Sequence, residues 1–138
     1  MKSARRPPPI LVKSNTIART PDPSQDTLPW LVAARAAESK KATDIVVLDL
    51  RDITSFADYF VICTGSNPRQ VQAISDEVGL QLGSWGRYPV SVEGFDNADW
   101  ILADYGDYLI HVFSEKARAY YDLARLWRHA RDVEIPPE

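Results

Sequence analysis

The chain has a single cysteine and two histidines in 138 residues. One thiol excludes an internal disulfide and a cysteine-based zinc site. Cys63 lies inside the apolar run Tyr59-Phe-Val-Ile-Cys63, where a buried, inert thiol is expected rather than a nucleophile. This cysteine usage fits a reducing cytoplasm. No apolar run approaches the roughly 20 residues of a membrane-spanning helix, and no segment repeats. His111 falls on an expected central strand and reads as a hydrogen-bonded core histidine. His129 falls near a helix C-terminus, where the helix dipole favours it.

Charge of one sign is missing from two stretches. Residues 1 to 21 hold five bases and no acid, while the rest of the chain holds 11 bases against 19 acids. Between Glu93 and Asp107 there are five acids (Glu93, Asp96, Asp99, Asp104 and Asp107) and no Lys or Arg. A domain this acidic is poorly suited to gripping phosphate backbones and better suited to a basic protein partner. Any nucleic-acid contact is expected to be peripheral, through the basic arm.

The carboxylate pattern of a nucleotidyl-transferring enzyme is also missing. Gly65-Ser66 sits where a strand turns into a helix, as at the start of such a site, but lacks the further glycines of a phosphate-cradling loop. The two carboxylates separated by one apolar residue on a strand, which would hold divalent metal, do not follow. Asp76 and Glu77 are adjacent and fall on a helix, and Asp49 and Asp52 precede the turn. No catalytic residue, metal or cofactor is therefore expected.

What is present is an alternation of helix and strand signals. Residues 1–26, with Pro7, Pro8, Pro9, Pro21 and Pro23, read as a disordered basic arm. Its acid-free start makes organellar targeting the minor alternative to a cytoplasmic protein, because the prolines spoil an amphipathic helix. Residues 27–132 read as one domain and 133–138 as a flexible tail. A first helix is expected from Thr27 to Thr43, with Leu28, Leu31 and Ala34 inward. Strands follow at Asp44–Leu50 and Asp58–Thr64. The short link between them suits an antiparallel pair. Asn67, Pro68 and Gln70 open a second helix, whose stripe Val71, Ile74, Val78 and Leu82 recurs at helical spacing. A third strand is expected at Tyr88–Val92. Trp100 to Phe113 reads as a hairpin turning at Asp104-Tyr-Gly-Asp107. Ser114 caps a last helix reaching Arg131, with Ala117, Tyr120, Leu123, Ala124 and Trp127 inward. The sum is an α/β fold, a mixed five-stranded sheet covered by helices. From periodicity alone, Trp100 suits the core and an interface equally.

Several segments carry a resemblance to one family. They are Ala57-Asp-Tyr-Phe-Val-Ile-Cys-Thr-Gly-Ser66, Arg69 with Val71-Gln-Ala-Ile74, Val92-Glu-Gly94, Ala98-Asp-Trp100, Asp104-Tyr-Gly-Asp107 and His111-Val-Phe113. Arg118, Tyr120-Tyr-Asp-Leu123 and Leu126-Trp127 complete them. In this order, over about residues 28 to 130, the chain resembles the Iojap or ribosomal silencing factor family. The arm lies outside the resemblance. Gln70 stands where the family usually has His, and Ala124 where it usually has Glu.

The resemblance implies a nucleotidyltransferase-like α/β sandwich without the catalytic carboxylates. It implies binding to the large ribosomal subunit through ribosomal protein L-fourteen, blocking small-subunit joining and so repressing translation. The competing expectation is a nucleotide-binding or nucleotidyltransferase enzyme. The expected partner surface has Trp100 as its anchor, with Glu93, Asp99, Asp104 and Tyr105 around it. Arg118 is expected to brace the acids or to touch the partner. The same surface is open to a second copy, so a homodimer of the free protein is compatible with it.

Overall fold

Pro29 begins the first helix at the position where a missing N–H costs nothing. The computed structural model describes residues 28–137, so the expectations for the basic arm lie outside the described residues. Helix α1 spans Pro29–Ser39, shorter than expected. Lys41 takes the left-handed conformation (φ 67°), and the amides of Lys41 and Ala42 close back onto Glu38 and Ala37. This is a Schellman end made by lysine instead of the usual glycine. The inward face also differs. Trp30, Ala33, Ala34 and Ala37 are buried, while Leu28 precedes the helix and is 42% exposed. The Trp30 ring packs on Tyr59 at 6.0 Å, and the small alanines let the helix lie close to its neighbours.

Strands β1 (Thr43–Asp49) and β2 (Tyr59–Gly65) pair antiparallel. Helix α2 (Pro68–Gly83) follows, and Asn67 caps it by accepting from the Gln70 amide at 2.8 Å. The Gln70 side chain turns back to Ser66 and donates to the carbonyls of Lys40 and Lys41, tying the end of α1 to the start of α2. The third strand, β3, is only Ser91–Glu93, since Tyr88 folds back to donate to the Gly83 carbonyl. Strands β4 (Trp100–Asp104) and β5 (Tyr108–Ser114) form the expected hairpin.

The expected long final helix is in fact three pieces. Helix α3 (Glu115–Tyr121), capped by Ser114, ends at Asp122, which sits at φ 47°. A single turn, α4 (Leu123–Leu126), follows. Arg131–Val133 then forms β6 along the outer edge of β1. Asp tolerates the left-handed conformation and so breaks the helix without a glycine. Tyr120, expected inward, is consequently 80% exposed, while Ala117 and Leu123 are buried. Arg131 serves a strand rather than a helix end. The expected tail is also held: Ile135 packs on the core, and Arg35 donates to the carbonyls of Pro136 and Pro137.

The sheet therefore has six strands, not five, in the order β3-β4-β5-β2-β1-β6, and β2 with β5 is its parallel pair. Both central strands are buried on both sides, which explains their continuous apolar runs. On one face Val47, Val61, Cys63, Ile101, Ile110 and Val112 pack under α1 and α2. On the other, Leu48, Phe60, Ile62 and Phe113 pack against Leu50, Ala57, Ala117 and Leu123.

Candidate partner-binding site

Strand β4 starts at Trp100 because the loop before it is locked. Gly94 sits at φ 83° and Ala98 at φ 57°, and the Ala98 amide donates to the Gly94 carbonyl at 3.0 Å. The Ser114 amide donates to the Asp99 carbonyl at 2.8 Å. The Ser114 hydroxyl donates to the Asp99 carboxylate at 3.2 Å and accepts from the Ala117 amide at 3.1 Å. One serine thus joins the foot of β4, the end of β5 and the start of α3.

Trp100 is half-buried on the face that carries α3. Its ring lies 5.0 Å from Phe113 and 4.7 Å from Tyr121. Its indole N–H donates to Nδ1 of His111 at 3.1 Å. The indole is therefore neither a fully enclosed core ring nor a loose surface one. Strand register places Leu102 beside Glu93, and Asp104 beside Ser91, on the same face. Glu93 and Asp99 are exposed and Asp104 is half-buried. One oxygen of Asp104 accepts from the Gly106 amide at 2.8 Å and so shapes the hairpin turn.

Two of the expected site residues are placed differently. Tyr105 lies on the opposite face, stacked on Tyr108 at 5.2 Å and packed under the α1–α2 layer. Burial pushes its phenol up to about 12. Side chains alternate along a strand, so Trp100 and Tyr105, five positions apart, cannot share a face. Arg118 donates to the Thr64 hydroxyl at 2.7 Å. It braces α3 against β2 rather than the acids. Tyr121 and His111 are contacts of Trp100 that the sequence did not assign to the partner surface. The hairpin register pairs Trp100 with Phe113 and Leu102 with His111, which puts His111 diagonal to Trp100 on the same face, whereas Tyr121 depends on where α3 breaks.

The surroundings do not favour proton transfer. Burial holds the His111 imidazole neutral, its pKa lowered to about 3. Burial pushes the Cys63 thiol up to about 12. Among the described residues, no group of three or more His, Cys, Asp or Glu could hold a metal ion. An open groove of about 320 Å³ lies elsewhere, lined by Val32, Arg35, Ala36, Ser39, Gln81 and Trp85 of the α1–α2 layer.

The family described as "Ribosomal silencing factor during starvation" matches residues 22–138. The chain belongs to this RsfS family. The ribosomal silencing factor RsfS of Bacillus subtilis is 46% identical over 99 residues, spanning 72% of this chain and 84% of that protein. The chloroplastic protein Iojap of Zea mays is 33% identical over 75% of this chain and 45% of its own length. Among solved structures, a Chromobacterium violaceum protein matches with a TM-score of 0.69 at 33% identity, covering 78% of this chain and 88% of that one. A Bacillus halodurans protein matches with a TM-score of 0.66 at 39% identity, covering 75% and 93%. The RsfS fold is thus the α/β sheet described above, and ribosomal silencing is the family's function.

Proposed function

We propose that this RsfS-family chain silences translation by binding the large ribosomal subunit through ribosomal protein L-fourteen, so that the small subunit cannot join. The observation that carries the reading is Trp100. It is a half-buried indole clamped by Phe113, Tyr121 and His111 on a sheet face that also presents Glu93 and Asp104, with Asp99 at its foot. Aromatic anchors of this kind dominate interface energetics, and the acids suit a basic protein, giving steering and register more than raw affinity. Arg118 supports the surface from α3, and Tyr105 has no part in it. The same face is open to a second copy when ribosomes are absent. The mechanism is occlusion, so no bond is made or broken and the chain is not an enzyme. The bacterial relatives support a cytoplasmic location. Those named chloroplastic and mitochondrial carry the family into organelles.

Co-sedimentation with purified subunits tests this reading. The chain is expected to pellet with the large subunit and not with the small one. Trp100→Glu is expected to remain folded and to bind at least about 30-fold more weakly, the equivalent of a 2 kcal/mol hot spot. Saturable magnesium-dependent ATP or CTP binding, with no pelleting, would contradict it.

A further inference from the structure

Trp100 has two soft torsions, and half a turn about χ2 would point its N–H the opposite way while leaving the ring in much the same plane. Something must choose between these two arrangements. The only acceptor that the indole N–H meets among the described residues is Nδ1 of His111, at 3.1 Å. His111 is itself held rigidly. It is 3% exposed, with Phe60 edge-on at 4.5 Å and Phe113 parallel to it at 6.2 Å. Because Nδ1 accepts, the ring proton is on Nε2, and buried Nε2 has no hydrogen-bond partner. A buried donor without a partner is costly. A leucine or phenylalanine would fill the same space without that cost, so packing alone does not account for a histidine here. Burial also keeps the ring neutral, so the acceptor at Nδ1 persists.

We propose that His111 is a positioning residue for partner binding: by accepting the Trp100 N–H it holds the indole in one orientation before the partner arrives. The inference rests on the reading of Trp100 as the anchor. Its effect comes from pre-organisation, since a side chain already immobilised loses less freedom on binding.

The test uses the full chain, purified large subunits and a double-mutant cycle. His111→Leu is expected to weaken binding roughly fivefold, the scale of one neutral hydrogen bond. His111→Asn, whose Oδ1 can occupy the place of Nδ1, should retain most of the affinity. In a Trp100→Ala background, His111→Leu should cause no further loss, because His111 acts only through the indole. In proton–nitrogen correlation spectra of the free chain, the Trp100 indole N–H should move upfield and exchange faster in the Leu variant but not in the Asn variant. His111→Gln, which is polar but places its amide at the Nε2 position, should behave like the Leu variant and serves if that one fails to fold. Full binding by both the Leu and Gln variants, or an equal loss with and without Trp100, would overturn the inference while leaving the anchor intact. Unchanged binding by Trp100→Ala would overturn the anchor and the inference together.

Discussion

Arg131 lies 82 residues beyond Asp49 in sequence, yet its Nη2 donates to the Asp49 carboxylate at 2.6 Å. Arg51 supplies the remaining bonds, from Nε at 3.0 Å, Nη2 at 2.8 Å and its amide at 3.1 Å. The carboxylate is almost fully buried, while both guanidinium groups reach solvent. It is the ionic fastening of β6 to β1.

Asp49→Ala should therefore lower unfolding free energy by about 2 kcal/mol, the scale of a hydrogen bond to a charged group, measured by urea titration. Acid should act in the same direction. The Arg51 side-chain bond, with Arg131 beside it, holds the Asp49 carboxyl well below its ordinary value of 3.8. The unfolded chain therefore takes up the proton first. The stabilisation is complete above that ordinary value and drains away as pH falls below it toward the folded value. Between pH 5 and pH 2 the wild type should lose more stability than Asp49→Ala. Parallel acid profiles would show that the ion pair contributes nothing.

Gly94 and Gly86 both have positive φ, yet they should respond differently to alanine. A Cβ on Gly94 would collide with the Trp100 carbonyl oxygen, whereas a Cβ on Gly86 would meet nothing within 4 Å. Gly86→Ala should cost about 1 kcal/mol, the conformational penalty alone. Gly94→Ala should cost more, roughly 3 kcal/mol or above, and should weaken subunit binding because it shifts the start of β4 at Trp100. Thermal melts of the two variants check the ordering.

Tyr105→Ala separates the two faces of the sheet. Its ring lies under the α1–α2 layer, so the variant should lose about 2 to 3 kcal/mol of stability. Well below its melting temperature it should pellet with large subunits as the wild type does. A selective loss of binding would return Tyr105 to the partner surface.

Cys63 should resist alkylation. It is fully buried, and its thiol is pushed up to about 12 by desolvation, so little thiolate exists at pH 8. Iodoacetamide should label the native chain only at the rate of unfolding and label it promptly in denaturant, as read by mass spectrometry.

The features legible in the sequence were the locally encoded ones. The α2 stripe from Val71 to Leu82, the Asn67 cap and the Trp100–Phe113 hairpin each declare themselves within a few residues. The features that were not legible depend on distant partners or on residues in atypical conformations. Lys41 and Asp122 adopt left-handed backbones that glycine would have advertised, so periodicity alone carries α1 past its end and the last helix past its break. Three residues, Arg131 to Val133, are too few to show a strand period, and their partner strand is far away in sequence. Trp30 is core although the leucines at 28 and 31 suggest a different helix phase. The placement of Tyr105, by contrast, follows from strand alternation alone.

Subunit joining, followed by light scattering as purified small subunits are added to large ones, tests the central claim most directly. Pre-incubation of the large subunit with the chain should suppress the rise in scattering in proportion to occupancy, and Trp100→Glu should restore it. An undiminished rise with the large subunit saturated by the chain would contradict occlusion as the mechanism.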